Sequence, residues 1–559
     1  MLIFHKERGG ANVYSQLKNK PISEQIELIT RSLVALKSYN GTTGESEKAR
    51  FIYELISSFP YFQKHPDQIW LQDVPNDPIG RKNVFALVKG TSSKTVLFHA
   101  HYDTVGTDDY GALQDMAHDP DFLQKFFMDY EGEEKVKEDA LSGNWLFGRG
   151  ALDMQSGIAV HIANLLFHTG EKVQDGNLVF LFNGDEESEH AGMISALSDL
   201  YQLKKEGFDY LAAINTDFIS PIYDGDCKRY IYTGAAGKLL PSFYIYGREA
   251  HVGDVLTSID PTVIASKINL EINQNLDYLE DIPGEFTLPP SCLYFKDDKH
   301  TYNVQTPLSA SLYFNYFVYE RTAREVLYDM KKVALKVVSE MEDRSKKQFE
   351  QYRKYHGFPE REFSWEVEVL TLREYMFWLK ERGIDPDPVL KKIFHDMNGE
   401  DRRTIAYAMV EALQHLDPDR TPRVILFFAP PFLPHNFVNE ENEYGKKVRE
   451  VLGACLNDIS SETGEEFVIK RFFPYLADGS FLSLHEEDED IEVFKKNLPL
   501  IDQLYPVPID MIRKLNIPSI NIGVYGKDGH QWTERVYKPY TFSVLPEIIQ
   551  RVTRELLKI

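Results

Sequence analysis

Two histidines, His101 and His530, together with Asp103, Asp153, Asp185-Glu186-Glu187 and Asp217, are the residues of this sequence best suited to chemistry. Gathered unpaired in one crevice, such carboxylates repel and raise one another's pKa. A pair of divalent cations removes the conflict, and imidazole with carboxylate suits zinc, cobalt or manganese. Two ions held roughly 3.5–4 Å apart, as in two-metal hydrolytic sites, need one bridging carboxylate. A histidine and a further carboxylate can then serve each ion. Asp103 stands two residues from His101, so in an extended segment both side chains point the same way. Asp103 can then accept the second imidazole N–H and fix the tautomer. Glu186 and Glu187 are adjacent and should diverge, one binding metal while its neighbour handles water. Two metals beside a free carboxylate are equipped for hydrolysis.

Singly, each feature has a plainer reading: a His-x-Asp surface or core pair, a solvated Glu-Glu face, a helix cap at Asp217, a hydrogen-bonded loop histidine at His530. The signal is their joint order along the elements that must position them. Val84–Val88, Thr95–Phe98, Leu178–Phe182 and Tyr210–Ile214 are short, apolar on both faces, and rich in β-branched and aromatic residues. That pattern predicts central strands of a sheet covered by helices. Residues 23–38 predict a helix behind a serine cap, and Gly157–His168 a buried helix. Each candidate residue falls past the carboxyl end of a predicted strand or in a loop beside one, where an open α/β sheet forms its ligand crevice.

Near residue 236 the pattern changes. Strands are predicted at 242–246, 292–295, 311–319 and 365–370, with helices at 261–279 and from 322 to about 355, the order of a small open-faced α+β domain. Residues 372–420 predict helices added to it, and Val424–Phe428 a closing strand. From about 440 the α/β pattern resumes, with a helix at 446–456, a buried strand at 518–524 and a last helix at 546–557. The expected domains are therefore 1–235 and 436–559 as two parts of a catalytic domain, with 236–435 inserted between them. The run Glu486–Asp490 reads as a solvated loop.

The 559 residues exceed what one hydrophobic core supports. With 43% hydrophobic and 26% charged residues, the chain has the make-up of an ordinary globular protein. Its formal net charge of -24 disfavours nucleic acid and anionic membranes as partners and favours cationic ligands or metal ions. Three scattered cysteines, Cys227, Cys292 and Cys455, form no disulfide framework and imply a reducing compartment. Residues 1–8 hold no apolar core of signal-peptide length, and no run approaches the roughly 20 apolar residues of a membrane span. The expectation is a cytoplasmic protein.

Several segments resemble those of the M20 metallopeptidase family. Phe98-His99-Ala100-His101-Tyr102-Asp103-Thr104-Val105 is similar to its His-x-Asp-x-Val segment, and Gly148–Gly157 to its Gly-Arg-Gly-x-x-Asp-x-Lys-x-Gly segment. Gly184-Asp185-Glu186-Glu187, Asp217 and Gly529-His530 with Glu534 resemble the remaining ligand segments. The resemblance implies a mixed, mostly parallel catalytic sheet with an inserted ferredoxin-like lid, and two divalent ions, zinc before cobalt or manganese. Asp153 would bridge them, with His101 and Asp217 completing one site and Glu187 and His530 the other. Asp103 would orient His101. Glu186 would be the general base that later hands its proton to the leaving amine. In the lid, Gly247–His251 resembles the segment whose histidine stabilises the oxyanion, and Tyr302-Asn303-Val304 the segment whose asparagine contacts substrate. The plainer reading of His251 is a satisfied loop histidine. The family's lid commonly dimerises, so a homodimer is a further expectation.

Gln155 stands where the family segment has lysine, and the arginine expected a dozen residues after Asn303 is absent. The loop between Asp103 and Asp153 is longer than usual and carries Asp108, Asp109, Asp115 and Asp119. Length, departures and the segment Gly526–Val536 are similar to a bacterial arginine-utilisation branch of the family. The implied activity is hydrolysis of an amide bond in an N-acyl amino acid or short peptide. The alternatives are a regulatory protein of arginine catabolism that binds metal or amino acid without catalysis, and a structural metalloprotein, which would leave the Glu186-Glu187 pair unexplained.

Overall fold

The computed structural model describes residues 13–170, 175–361, 364–475 and 477–559. Residues 1–8, read above for a signal sequence, lie outside them. Among the described residues no helix is long and apolar enough to cross a membrane. The chain forms two compact units, one of residues 1–235, 436–484 and 508–559, the other of 236–435 and 485–507.

The first unit is built on an eight-stranded sheet. Its middle holds Asn177–Asn183, Lys94–His101, Asp209–Asn215 and Ser519–Ile522, adjacent in that order and mutually parallel. Apart from Lys94 and Asp209 at their starts, these strands are buried along their length, which is why they read as unbroken apolar runs rather than as alternation. Phe98 stacks on Phe180 with ring centroids 4.4 Å apart. The helices Ser156–Gly170, Ala191–Lys205 and Leu545–Leu556 supply further buried apolar residues to this unit. Toward the edges, Ile69–Asp73 and Lys82–Val88 run antiparallel, and Arg229–Tyr232 and Phe467–Lys470 complete the far side. A separate three-stranded ribbon joins Trp145–Phe147, Arg535–Tyr537 and Gly526–Lys527, all antiparallel.

The second unit carries a sheet ordered Ser291–Asp297, Ser309–Val318, Pro241–Tyr246, Arg423–Phe428 and Glu368–Thr371. All its neighbours are antiparallel except the last pair. Ser309–Val318 alternates buried and half-buried residues, as a sheet covered on one face should. The helices Pro261–Ile272 and Ala323–His356 belong to this unit, the latter opened by a capping box of Thr322 and Glu325. The addition at 372–420 forms three helices, Leu372–Glu381, Asp387–Asp396 and Arg402–Gln414.

Three expectations are corrected. The helix from Pro261 stops at Ile272, where Asn273 turns extended and Gln274 takes φ 57°. The run at 486–490 is solvent-exposed at 487–489 as expected but is not a loop: Asp488–Asp490 form the first turn of the helix Asp488–Lys496, and the Glu486 side chain is buried with its carboxylate 3.5 Å from His435 Nδ1. Acidic residues favour that end of a helix dipole. The return to the first unit is also interrupted, because residues 485–507 pack with the second.

Candidate metal centre

Four parallel strands end together at one edge of the central sheet, and the candidate residues follow from those ends. His101 is the last residue of its strand and pairs in register with Asn183, after which come Asp185, Glu186 and Glu187. Asp217 follows the strand ending at Asn215, and the Ser519–Ile522 strand leads toward His530. Gly523 allows the last approach, since a Cβ there would lie 2.0 Å from the Asp217 carbonyl oxygen. Asp153 arrives differently. The ribbon pairs Trp145–Phe147 with Arg535–Tyr537, laying the Gly148–Gln155 turn beside the Asp528–Glu534 loop. Gly150 turns the chain at φ 78°, where a Cβ would press 2.7 Å from Thr104 Cγ2.

His101, Asp153 and Glu187 each offer a ligand atom, and these atoms lie within 4.8 Å of one another. One Asp153 oxygen, Oδ1, is 3.0 Å from His101 Nε2, while the other, Oδ2, is 2.8 Å from His530 Nε2. His530 Nε2 is also 3.0 Å from Glu187 Oε1. Asp103 is fully buried, its Oδ1 lying 3.5 Å from His101 Nδ1, and it accepts the backbone N–H of Glu186 and Glu187, each at 3.1 Å. The Asp103 backbone carbonyl, 3.2 Å from His101 Nδ1, fixes the ring, and its carboxylate fixes the loop bearing the glutamates. Glu186 Oε2 lies 3.9 Å from His101 Nε2, and its Oε1 is buried without a partner. Asp217 stands outside the tight trio, accepting its neighbour Phe218 N–H at 2.7 Å.

Burial and mutual charge shift the proton affinities of these donors. Burial, reinforced by Asp153, pushes Asp217 from 3.8 up to about 8. Burial also lifts Glu186 well above the carboxylate range, with Asp478, Glu187 and Asp217 adding to it against His101. Although burial opposes it, hydrogen bonding to Asp153 and Glu187 holds His530 up at about 11. His101 is likewise raised by Glu186, Asp103 and Asp153 against its own burial. The nitrogen and oxygen donors are those zinc, cobalt and manganese accept.

A pH dependence follows. Asp217, His530 and Glu534, the last raised by burial from 4.5 to about 7, are all raised on folding. Raised groups stabilise below their unfolded pKa, and that stabilisation is lost as pH climbs through the folded value. Metal-stripped protein should therefore melt at a lower temperature at pH 8 than at pH 5, and added zinc should remove most of the difference. Calorimetry across that range checks the sign; a melting temperature rising toward pH 8 would contradict it.

Around the ligands lies a framework that spacing alone did not reveal. Arg149, almost wholly buried, donates to Glu534 at 2.8 Å, to both oxygens of Asp109 at 2.7 Å and to the His530 carbonyl at 3.3 Å. Glu534 Oε1 accepts the N–H of Leu152 at 3.0 Å and Asp153 at 3.2 Å. The long loop thus contributes Asp109 to the frame, and Asp119 caps the helix Pro120–Met128. Asp185 turns away from the ligands to Arg81, 3.0 Å off, and Asn40, 3.2 Å off. Asp478 accepts from Asn183 and lies 2.9 Å from His190 Nδ1, fastening both ends of the glutamate loop. Arg149 and Glu534 lie inside the segments quoted above and His190 three residues past Glu187, whereas Asn40 and Asp478 have no sequence relation to the site.

His251 and Asn303 lie in the second unit, on segments bridged between His251 and Gln305. Both are exposed. His251 Nδ1 accepts the Gly253 N–H at 3.1 Å, and Asn303 Oδ1 accepts from Lys299 and from the Gln305 N–H.

Residues 97–224, which hold His101 through Asp217, match the model of peptidase family M20/M25/M40. The chain is 51% identical over 550 residues to protein RocB of Bacillus subtilis, covering 98% of this chain and 97% of that one. It is 33% identical to YqjN of the same organism, covering 96% of each. The aminopeptidase PepT structure from Bacillus cereus shares the fold at 13% identity, with a TM-score of 0.50 over 96% of this chain and 98% of that one. With RocB-like sequence along nearly its whole length and the family's segments gathered at one sheet edge, the chain belongs to the M20 peptidase family of metallohydrolases.

Proposed function

We propose that the protein hydrolyses an amide bond of an N-acyl amino acid or short peptide, using two divalent cations at the Asp153 centre. The observation that carries this reading is the division of one carboxylate between two histidines, Asp153 Oδ1 toward His101 and Oδ2 toward His530. His101 with Asp217 would hold one cation and Glu187 with His530 the other. Bound there, the cations would acidify water and polarise the scissile carbonyl. Glu186, with one oxygen unpartnered beside His101, takes the proton from the attacking water and delivers it to the leaving amine. Asp103 keeps His101 in the ligating tautomer. His251 steadies the oxyanion and Asn303 contacts substrate.

The substrate proposed is a derivative of a basic amino acid, in arginine breakdown, with which the net charge of -24 agrees. A cytoplasmic homodimer joined through the second unit completes the reading. The test is turnover by zinc- or cobalt-loaded protein on N-acyl and dipeptide derivatives of arginine, ornithine and neutral residues. Hydrolysis of at least one basic derivative, abolished by chelator, is expected; inertness toward all of them would overturn the proposal.

A further inference from the structure

Lys48, on the helix Gly44–Ser57, is 1% exposed and makes no ion pair among the described residues. A buried amine without a carboxylate partner is costly, so its hydrogen bonds are what distinguish it. Nζ donates to the Leu33 carbonyl at 2.7 Å and to Gln155 Oε1 at 3.0 Å. Gln155 is itself fully buried. Its Nε2 donates to the Tyr102 carbonyl at 3.1 Å and its backbone N–H to the Gly150 carbonyl at 2.8 Å. Tyr102 sits between His101 and Asp103, and Gln155 lies two residues beyond Asp153.

We propose that Lys48 is a positioning residue of the metal centre, its amine acting through Gln155 to set the spacing between the strand end bearing His101 and Asp103 and the turn bearing Asp153. The inference rests on the metal reading above. Without the amine, Gln155 Oε1 loses its donor in a buried setting and the amide is free to reorient, while the Leu33 carbonyl keeps the Leu36 N–H at 3.1 Å. The 3.0 Å meeting of His101 and Asp153 then loses its support from behind.

Cobalt binding by the metal-free full-length protein tests this, read by chelator competition and by the visible Co2+ spectrum. Lys48→Met should weaken Co2+ binding at least tenfold and shift the spectrum. Ile52→Val, a buried site on the same helix, should lower the melting temperature while leaving affinity and spectrum alone. Lys48→Met binding within twofold of wild type with an unchanged spectrum would overturn the inference, as would an equal loss in Ile52→Val. Should Lys48→Met fail to fold, Gln155→Leu breaks the same link and is judged by the same thresholds. Wild-type protein that takes up no cobalt would sink the metal reading itself, whereas a binding wild type with an indifferent Lys48→Met sinks only this inference.

Discussion

Glu186→Gln is expected to keep its cations and lose about three to four orders of magnitude in kcat, the upper range for a positioned general base. The side chain is buried among Asp478, Glu187 and Asp217, and its raised proton affinity suits a group that must accept a proton and give it back. Glutamine preserves the volume and can still meet His101, so the ligand trio of His101, Asp153 and Glu187 is left intact. What disappears is the basic oxygen, now Oε1 without a partner. Steady-state kinetics on a confirmed substrate, paired with metal analysis of the same sample, separates the two effects. A variant with kcat within tenfold of wild type would remove Glu186 from the role.

Asp153→Ala acts on binding instead. It deletes the one carboxylate whose two oxygens face different histidines, so both cation positions lose a ligand together. Even residues that only orient a ligand cost 10–100-fold in metal affinity. Loss of the shared ligand should exceed about 100-fold and take activity to background. His101 and His530 would also lose their buried anion, so the pKa of each should drop toward the ordinary imidazole value. Calorimetric metal titration reads the affinity, and NMR titration of the ring protons reads the pKa change. Unaltered affinity would mean that Asp153 is no ligand.

The central strands were legible because they are buried on both faces: Thr95–Phe98 and Leu178–Phe182 carry no polar residue except Thr95 at one start. The far strands Arg229–Tyr232 and Phe467–Lys470 were not, since each offers only three consecutive apolar or aromatic residues, too short a run to mark a strand. That residues 485–507 join the second unit was equally hidden, because periodicity says which face of an element is apolar but not which core receives it. At the site, His101 and Glu187 follow the ends of legible strands, whereas Asp153 comes from the turn after the ribbon strand Trp145–Phe147, whose pairing with Arg535–Tyr537 has no signature in periodicity. Their supports did not show. Asp478 reaches Asn183 and His190 from almost 300 positions away, and Lys48 reaches Gln155 from another helix. Hydrogen-bond geometry of that range has no signature in spacing.

The most direct test is anomalous X-ray diffraction from crystals grown with zinc. Two peaks are expected roughly 3.5–4 Å apart, one beside His101 and one beside His530, with the Asp153 carboxylate between them. A single peak, or peaks that leave Asp153 on one side of both, would contradict the shared-carboxylate centre on which the hydrolytic reading stands.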